Sequence, residues 1–121
     1  MPDNFAVDAD GRLWVATDGN DAHRTGRHDG IWAIETEGAN RGVARCFFQV
    51  PVGAEMCGPC FTPDLETFFV AVQHPGETPD DAATPSTFEA PLTRWPDFQD
   101  SMPPRPAIVA ITRKGGGRIA S

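Results

Sequence analysis

Apolar and polar residues alternate in short runs along this chain, and turn-forming residues bound each run. Phe5 and Val7 alternate with other positions before Asp10-Gly11, and Leu13 and Val15 do so after it. An Asp-Gly pair between two alternating runs is a strong hairpin signal. The pattern therefore predicts two antiparallel strands joined by a tight turn at Asp10-Gly11.

Two further apolar runs extend this hairpin to a four-stranded unit. A polar loop without periodicity follows Asp18, and strand-like runs return at Gly30–Glu35 and Val43–Val50, before Pro51. Four short antiparallel strands make one blade of a β-propeller. We therefore predict a first blade over residues 1–52.

The pattern then restarts, since Asp64 follows Asp10 by 54 positions in a similar context. The runs Phe68–Val72 and Ile108–Thr112 match the second and third strands, and Arg118–Ala120 would begin a fourth. A repeat of this length built from strand–turn–strand units is typical of propellers. The predicted fold class is all-β, a partial β-propeller of about two four-stranded blades, with the second blade at residues 53–121.

A long insertion, at about residues 74–106, separates the second and third strands of the second blade. It holds eight of the twelve prolines, and proline cannot donate to a strand ladder. It also carries Trp95 and Phe98, which offer aromatic surface to bury. The sequence predicts a packed loop without strands.

Composition limits the classes of partner. The net charge is −7 and the isoelectric point about 4.7, which argues against binding to nucleic acid or to an anionic membrane surface. No apolar run approaches the ~20 residues of a membrane span, and no export signal is visible. Because closed propellers have four or more blades, two blades imply either missing N-terminal blades or a homo-oligomer.

The three cysteines include a Cys57-Gly58-Pro59-Cys60 segment that is spelled like a thioredoxin active site. That chemistry needs a thiolate at a helix N-terminus, whereas the residues that follow predict strands. We expect Cys46, Cys57 and Cys60 to be small buried or half-buried side chains of a sheet.

Oxygen-bearing side chains lie at the predicted strand ends. Asp3 and Asn4 precede the first strand; they could bind a calcium ion, which prefers carboxylate and amide oxygens, or cap the strand as an Asx-turn. Asp18 follows the second strand, and His74 and Glu77 follow its counterpart in the second blade. Asp8-Ala9-Asp10-Gly11 lacks the later ligands of an EF-hand loop and predicts a plain turn.

These residues resemble a known family in sequence. Asp3-Asn4-Phe5 with the segment Asp10–Gly19, Gly58-Pro59 with Phe61–Asp64, and above all Gln73-His74-Pro75-Gly76-Glu77 are similar to the C-terminal part of the PhoX-type (DUF839) alkaline phosphatases. Trp95-Pro96-Asp97 and the strand Ala107–Thr112 resemble the close of that family's sequence.

The resemblance implies a fragment of a six-bladed, metal-dependent phosphomonoesterase with calcium and iron at the mouth of its channel. It implies metal or phosphate roles for Asp3, Asn4, Glu77 and Asp18, a phosphate monoester as substrate, and export to the periplasm or beyond. The family's iron-binding cysteine and much of its metal cluster belong to its N-terminal part, so we expect little or no phosphatase activity from this chain alone.

Two other functions stay open at this stage. Calcium-dependent lactonase-like propellers carry similar hairpins, although the Gln73–Glu77 segment speaks against them. A non-catalytic binding propeller is the other alternative.

Overall fold

The strands form two antiparallel sheets in the computed structural model, which describes residues 1–20, 22–79 and 81–120. The first sheet has the order β1 (Pro2–Val7), β2 (Leu13–Thr17), β3 (Gly30–Ile34) and β4 (Ala44–Gln49). The second has the order β5 (Glu55–Phe61), β6 (Thr67–Gln73) and β7 (Ala107–Thr112). This arrangement confirms the predicted all-β class and its partial propeller.

The loop between β2 and β3 is less irregular than predicted, because it contains a four-residue helix, α1 (Ala22–Thr25). A 3₁₀ turn at Gly38–Asn40 joins β3 to β4. Neither helix of the described residues is long and apolar enough to cross a membrane.

The hairpin between β1 and β2 has a longer turn than the predicted Asp10-Gly11 pair. Val7 pairs with Leu13, so that five residues form the loop. The Asp8 carboxylate explains this length, since its Oδ1 accepts hydrogen bonds from the backbone N–H groups of Asp10 and Arg12, at 3.0 and 2.9 Å. A turn of two residues would be too short to surround the Asp8 carboxylate in this way.

The prediction of a fourth strand at Arg118–Ala120 is wrong, because residues 119 and 120 form a turn. The Ile119 N–H donates to the Leu65 carbonyl at 2.9 Å, and Ile119 packs against the core. The Arg12 guanidinium donates to the Ala120 carbonyl at 3.4 Å. The chain end therefore closes one edge of the contact between the sheets, and the second sheet has three strands among the described residues.

The core lies between the two sheets. Its largest fully buried side chains come from both sides of this contact: Trp14, Ile31, Met56, Phe68, Val70 and Val72. The Trp14 ring lies 5.2 Å from that of Phe61 and 5.1 Å from that of Phe68. Each such side chain contributes about 1.5–3 kcal/mol when buried, so this packing holds the two sheets together.

The insertion between β6 and β7 is a packed loop, as predicted, with no strand in the parts that the structure describes. The Arg94 guanidinium donates to the backbone carbonyls of Phe88, Glu89 and Met102. Trp95 packs against the core, although 70% of Phe98 is exposed.

Candidate metal centre

Strands β1 and β5 each have an irregularity in their pairing with the neighbouring strand, and the two irregular segments are in contact. The pairing of β1 with β2 shifts between Pro2 and Phe5, and that of β5 with β6 shifts between Cys57 and Cys60. Gly58 has a φ of 57°, a conformation that glycine adopts without strain, and its N–H donates to Asn4 Oδ1 at 3.2 Å. This contact joins the two irregular segments.

Three potential ligand atoms meet where the two irregular segments lie side by side. The carboxylates of Asp3 and Glu55 and the sulfur of Cys57 each offer an atom within 4.8 Å of the others. Cys57 Sγ donates to Glu55 Oε1 at 3.0 Å, and the Gln73 amide donates to the same sulfur. The first strands of the two sheets, β1 and β5, therefore bring two carboxylates and a thiol to one point.

His74 links this point to the segment after β6. Its Nε2 lies 3.1 Å from Glu55 Oε2, and its Nδ1 lies 2.7 Å from Glu77 Oε2. The turn needs its glycine, because Gly76 has a φ of 84° and a Cβ there would lie 2.7 Å from the Thr93 carbonyl oxygen. The insertion thus holds the turn that places His74 between two glutamates.

The pKa of His74 is raised. Partial burial disfavours the imidazolium, but the hydrogen bond to Glu55 and the negative charges of Glu77 and Glu55 outweigh it. A carboxylate on each side of the ring therefore favours a protonated histidine.

Two further groups show that negative charge is crowded here. Burial, followed by the charges of Glu55, Asp29 and Asp3, raises the pKa of Asp18. Burial and the hydrogen bond to Glu55 raise the pKa of Cys57 to about 11, with Asp3 adding to the shift. We call the six residues at this end the acidic cluster: Asp3, Asp18, Glu55, Cys57, His74 and Glu77.

The four residues predicted from the sequence lie at this end of the chain's two sheets. Asp3 belongs to the group of three ligand atoms, Glu77 joins it through His74, and Asp18 interacts through charge. The prediction that Asp3 and Asn4 precede the first strand is wrong, because both lie within β1. The Asn4 amide oxygen accepts the Gly58 N–H. Their roles as metal ligands remain predictions.

Sequence reasoning missed Glu55 and gave Cys57 no role. A signal was available, because the 54-residue repeat pairs the start of β1 with the start of β5, where Glu55 and Cys57 alternate. The expectation of buried or half-buried cysteines holds for Cys57, which is half-buried, and is wrong for Cys46 and Cys60, which are exposed.

The acidic cluster has side chains suited to part of the ligand set of a metal site. Carboxylates suit calcium and iron, and a thiolate suits iron better than calcium. With its pKa at about 11, Cys57 is a thiol at neutral pH, so it would have to lose a proton to act as a ligand. Calcium takes six to eight oxygen ligands, among them water molecules, so water would complete the shell around Asp3 and Glu55 in this chain.

The other carboxylate near the first sheet, Asp8, has no such capacity. Its side chain is fully buried, and its Oδ2 accepts hydrogen bonds from Arg12 Nη1 at 3.0 Å and Trp14 Nε1 at 2.9 Å. Together with the two backbone donors at its Oδ1, these partners saturate it. Asp8-Ala9-Asp10-Gly11 is the plain turn that the sequence predicted.

The chain matches a known family in sequence. The model of the alkaline phosphatase PhoX family matches residues 1–76, which is more than half of the chain. A search of curated proteins found no match.

A solved structure supports the same assignment. It is PhoX from Pseudomonas fluorescens in complex with vanadate, a transition state analogue, and it matches with a TM-score of 0.73 at 30% sequence identity. The match covers 98% of this chain and 18% of that chain, so the present chain spans about a fifth of the length of this relative. The chain belongs to the PhoX family of alkaline phosphatases.

Proposed function

We propose that the acidic cluster is this chain's share of the metal and phosphate site of an alkaline phosphatase. The observation that carries the proposal is the convergence of Asp3, Glu55 and Cys57 from two first strands in a PhoX-family chain. The family is one of metalloenzymes, and the relative from Pseudomonas fluorescens binds vanadate. Both facts favour a metal-assisted reaction at a phosphate ester over the lactonase alternative.

In this proposal Asp3 and Glu55 hold a cation, and the neutral Cys57 thiol lies beside them as a hydrogen-bond partner of Glu55. Such a metal supplies positive charge that polarises phosphoryl oxygens and orients the ester. Glu55 is held by the Cys57 thiol on one oxygen and by His74 on the other. These two contacts fix the direction of its carboxylate, as partners behind metal ligands commonly do.

His74 and Asp18 have supporting roles in the same proposal. A protonated His74 between Glu55 and Glu77 offsets part of the local negative charge and can hold a proton near the ester. Asp18 adds further negative charge, which a bound cation would offset. The cluster is therefore arranged to gain stability when a divalent or trivalent cation binds.

We propose that the chain alone does not hydrolyse phosphate esters. It supplies two carboxylates to a site that needs several more ligands, and it spans 18% of its relative. The first assay incubates the 121-residue chain with p-nitrophenyl phosphate, calcium and ferric iron, and no release of p-nitrophenol is expected.

The decisive assay uses a chimera in which this chain replaces the matching segment of the Pseudomonas fluorescens enzyme. The chimera is expected to release p-nitrophenol, and Asp3→Asn is expected to lower kcat by more than about a hundredfold, because one ligand of the metal is lost. Asp100→Asn, at a fully exposed loop position, is the matched control and should leave kcat unchanged. A folded chimera with equal kcat for Asp3→Asn and Asp100→Asn would contradict the proposed role.

A further inference from the structure

Each of the two sheets has one face in the core and an opposite face with exposed apolar side chains. On the first sheet, the Arg27 guanidinium lies over the Trp32 ring, 5.4 Å from its centroid, and leaves the rest of this face open. On the first sheet, Phe5 is 70% and Val7 58% exposed, and the half-buried Val15, Trp32 and Ile34 line an open cleft of about 310 Å³. On the second sheet, Ile108 is 69% and Phe69 37% exposed. Uncovered apolar faces of this kind mark interaction sites.

The strand registers show that these two open faces repeat the two faces of the core. In the core, the first sheet presents the neighbouring pairs Trp14–Ala33 and Ala16–Ile31. The open face of the second sheet presents Phe69–Ala110 and Ala71–Ile108 at the corresponding positions. Both faces thus have an aromatic–alanine pair beside an alanine–isoleucine pair.

The partner faces correspond in the same way. In the core, the second sheet presents the pairs Val70–Val109 and Phe68–Ile111 towards the first sheet. The open face of the first sheet presents Val15–Trp32 and Leu13–Ile34 at the corresponding positions. Both faces again consist of large apolar side chains in register.

The differences in size between the faces offset each other. On the open face of the second sheet, the smaller Phe69 takes the position that Trp14 has in the core. On the open face of the first sheet, the larger Trp32 takes the position that Val109 has in the core. Volume-conserving exchanges of this kind keep a packed interface close to its native density.

We propose that the open face of the second sheet binds the open face of the first sheet in another copy of this chain. The contact repeats the one between the two sheets within each copy. Phe5, Val7 and Ile108 stay more than half exposed in one copy. A second copy carries both complementary faces.

This association is head-to-tail, because two different faces meet. Head-to-tail contacts close into rings when the rotation per copy permits it. Each copy supplies two blade-like sheets, and closed propellers have four to eight blades, which corresponds to about two to four copies. We therefore expect a discrete ring and not an open fibre.

The test measures molar mass by sedimentation velocity over a concentration series for the chain and three variants. Val7→Glu places a charge on the open face of the first sheet, Ile108→Glu on that of the second, and Phe98→Glu at a loop position 70% exposed and outside both faces. Both face positions are exposed within one copy, so each variant should keep its fold, which circular dichroism checks.

The chain and Phe98→Glu are expected to form the same small oligomer. Val7→Glu and Ile108→Glu should each raise the dissociation constant by more than about tenfold, because a charge would be buried without a partner. An equimolar mixture of these two variants should form a dimer, since each retains the face that the other has lost. This rescue distinguishes a head-to-tail contact from one between identical faces.

Three results would overturn the inference: a monomeric wild-type chain, an oligomer that both face variants preserve, or a mixture that stays monomeric. In the first case, the open faces would be covered by a different polypeptide, such as further blades of a longer chain.

Discussion

The two ends of the first sheet shift the pKa values of their acidic side chains in opposite directions. At one end, Asp8 accepts hydrogen bonds from two backbone N–H groups, from Arg12 and from Trp14. These donors and the Arg12 charge more than offset its burial and lower the pKa of its carboxyl. At the other end, burial and neighbouring carboxylates raise the pKa of Asp18.

This difference separates a structural carboxylate from one suited to binding. Both carboxylate oxygens of Asp8 already accept hydrogen bonds within the protein, and its charge stabilises the hairpin turn. The acidic cluster has more acid than base among its members, with His74 as its one basic side chain. Crowded like charges cost stability in the absence of a ligand and are typical of functional sites.

The largest expected effect tests the structural end. Asp8→Ala removes the acceptor for four donors, including the buried Trp14 Nε1, and should lower the free energy of unfolding by about 3 kcal/mol. Urea denaturation measures this change. Asp10→Ala, in the same turn but half exposed with a distant Arg118 partner at 4.0 Å, should cost less than about 0.5 kcal/mol. Equal losses for the two variants would remove the distinction between the ends.

The next prediction concerns the centre of the acidic cluster. Glu55→Gln removes the negative charge and leaves a weaker, neutral acceptor where Glu55 helps raise the pKa of Cys57 to about 11, so the thiol should titrate at lower pH. The rate of alkylation against pH, in a background with Cys46→Ser and Cys60→Ser, reports this titration. Glu66→Gln, an exposed position in the β5–β6 turn, is the matched control. An unchanged Cys57 titration in Glu55→Gln would show that burial alone sets the pKa.

A smaller effect is expected at Asp18. Its pKa is raised in the folded chain, so the folded state loses stability relative to the unfolded state as pH rises through the range of this titration. At pH 7 without divalent cations, Asp18→Asn should therefore increase the free energy of unfolding, by less than about 1 kcal/mol for an exposed group. Thermal unfolding measures it beside Asp100→Asn. A lower melting temperature for Asp18→Asn alone would contradict the crowding of charge.

The smallest effect is the pH dependence that His74 confers. Its pKa in the folded chain lies above the ordinary value of 6.5. The stabilisation by Glu55 and Glu77 is therefore complete below about pH 6.5 and is lost as pH rises through the folded-state pKa. Comparing melting temperatures of the chain and His74→Gln from pH 5.5 to 8.5 tests this. A constant difference between the two across this range would be the contradicting result.

Local patterns were sufficient to predict the strands, because alternation and turn residues act over a few positions. The 54-residue repeat also predicted the second sheet. The fourth strand at Arg118–Ala120 failed because Ile119 is drawn into the core and to the Leu65 carbonyl, contacts that link distant parts of the chain. The five-residue turn was missed because the side chain of Asp8 organises it.

The site was predicted only in part, because some of its residues meet through contacts between distant parts of the chain. Asp3, Asn4, Asp18 and Glu77 were found from their positions at strand ends and from the family resemblance. Glu55 and Cys57 depend on the lateral contact of β1 with β5, where the Gly58 N–H meets Asn4. No pattern within one strand contains that contact.

The most direct test of the metal centre is the melting temperature of the chain at increasing calcium concentration and constant ionic strength. A cation that binds only the folded state raises this temperature. We predict a rise for the chain and for Asp100→Asn, and none for the double variant Asp3→Asn/Glu55→Gln. An equal rise in all three proteins, or no rise in any of them, would contradict a metal site in the acidic cluster.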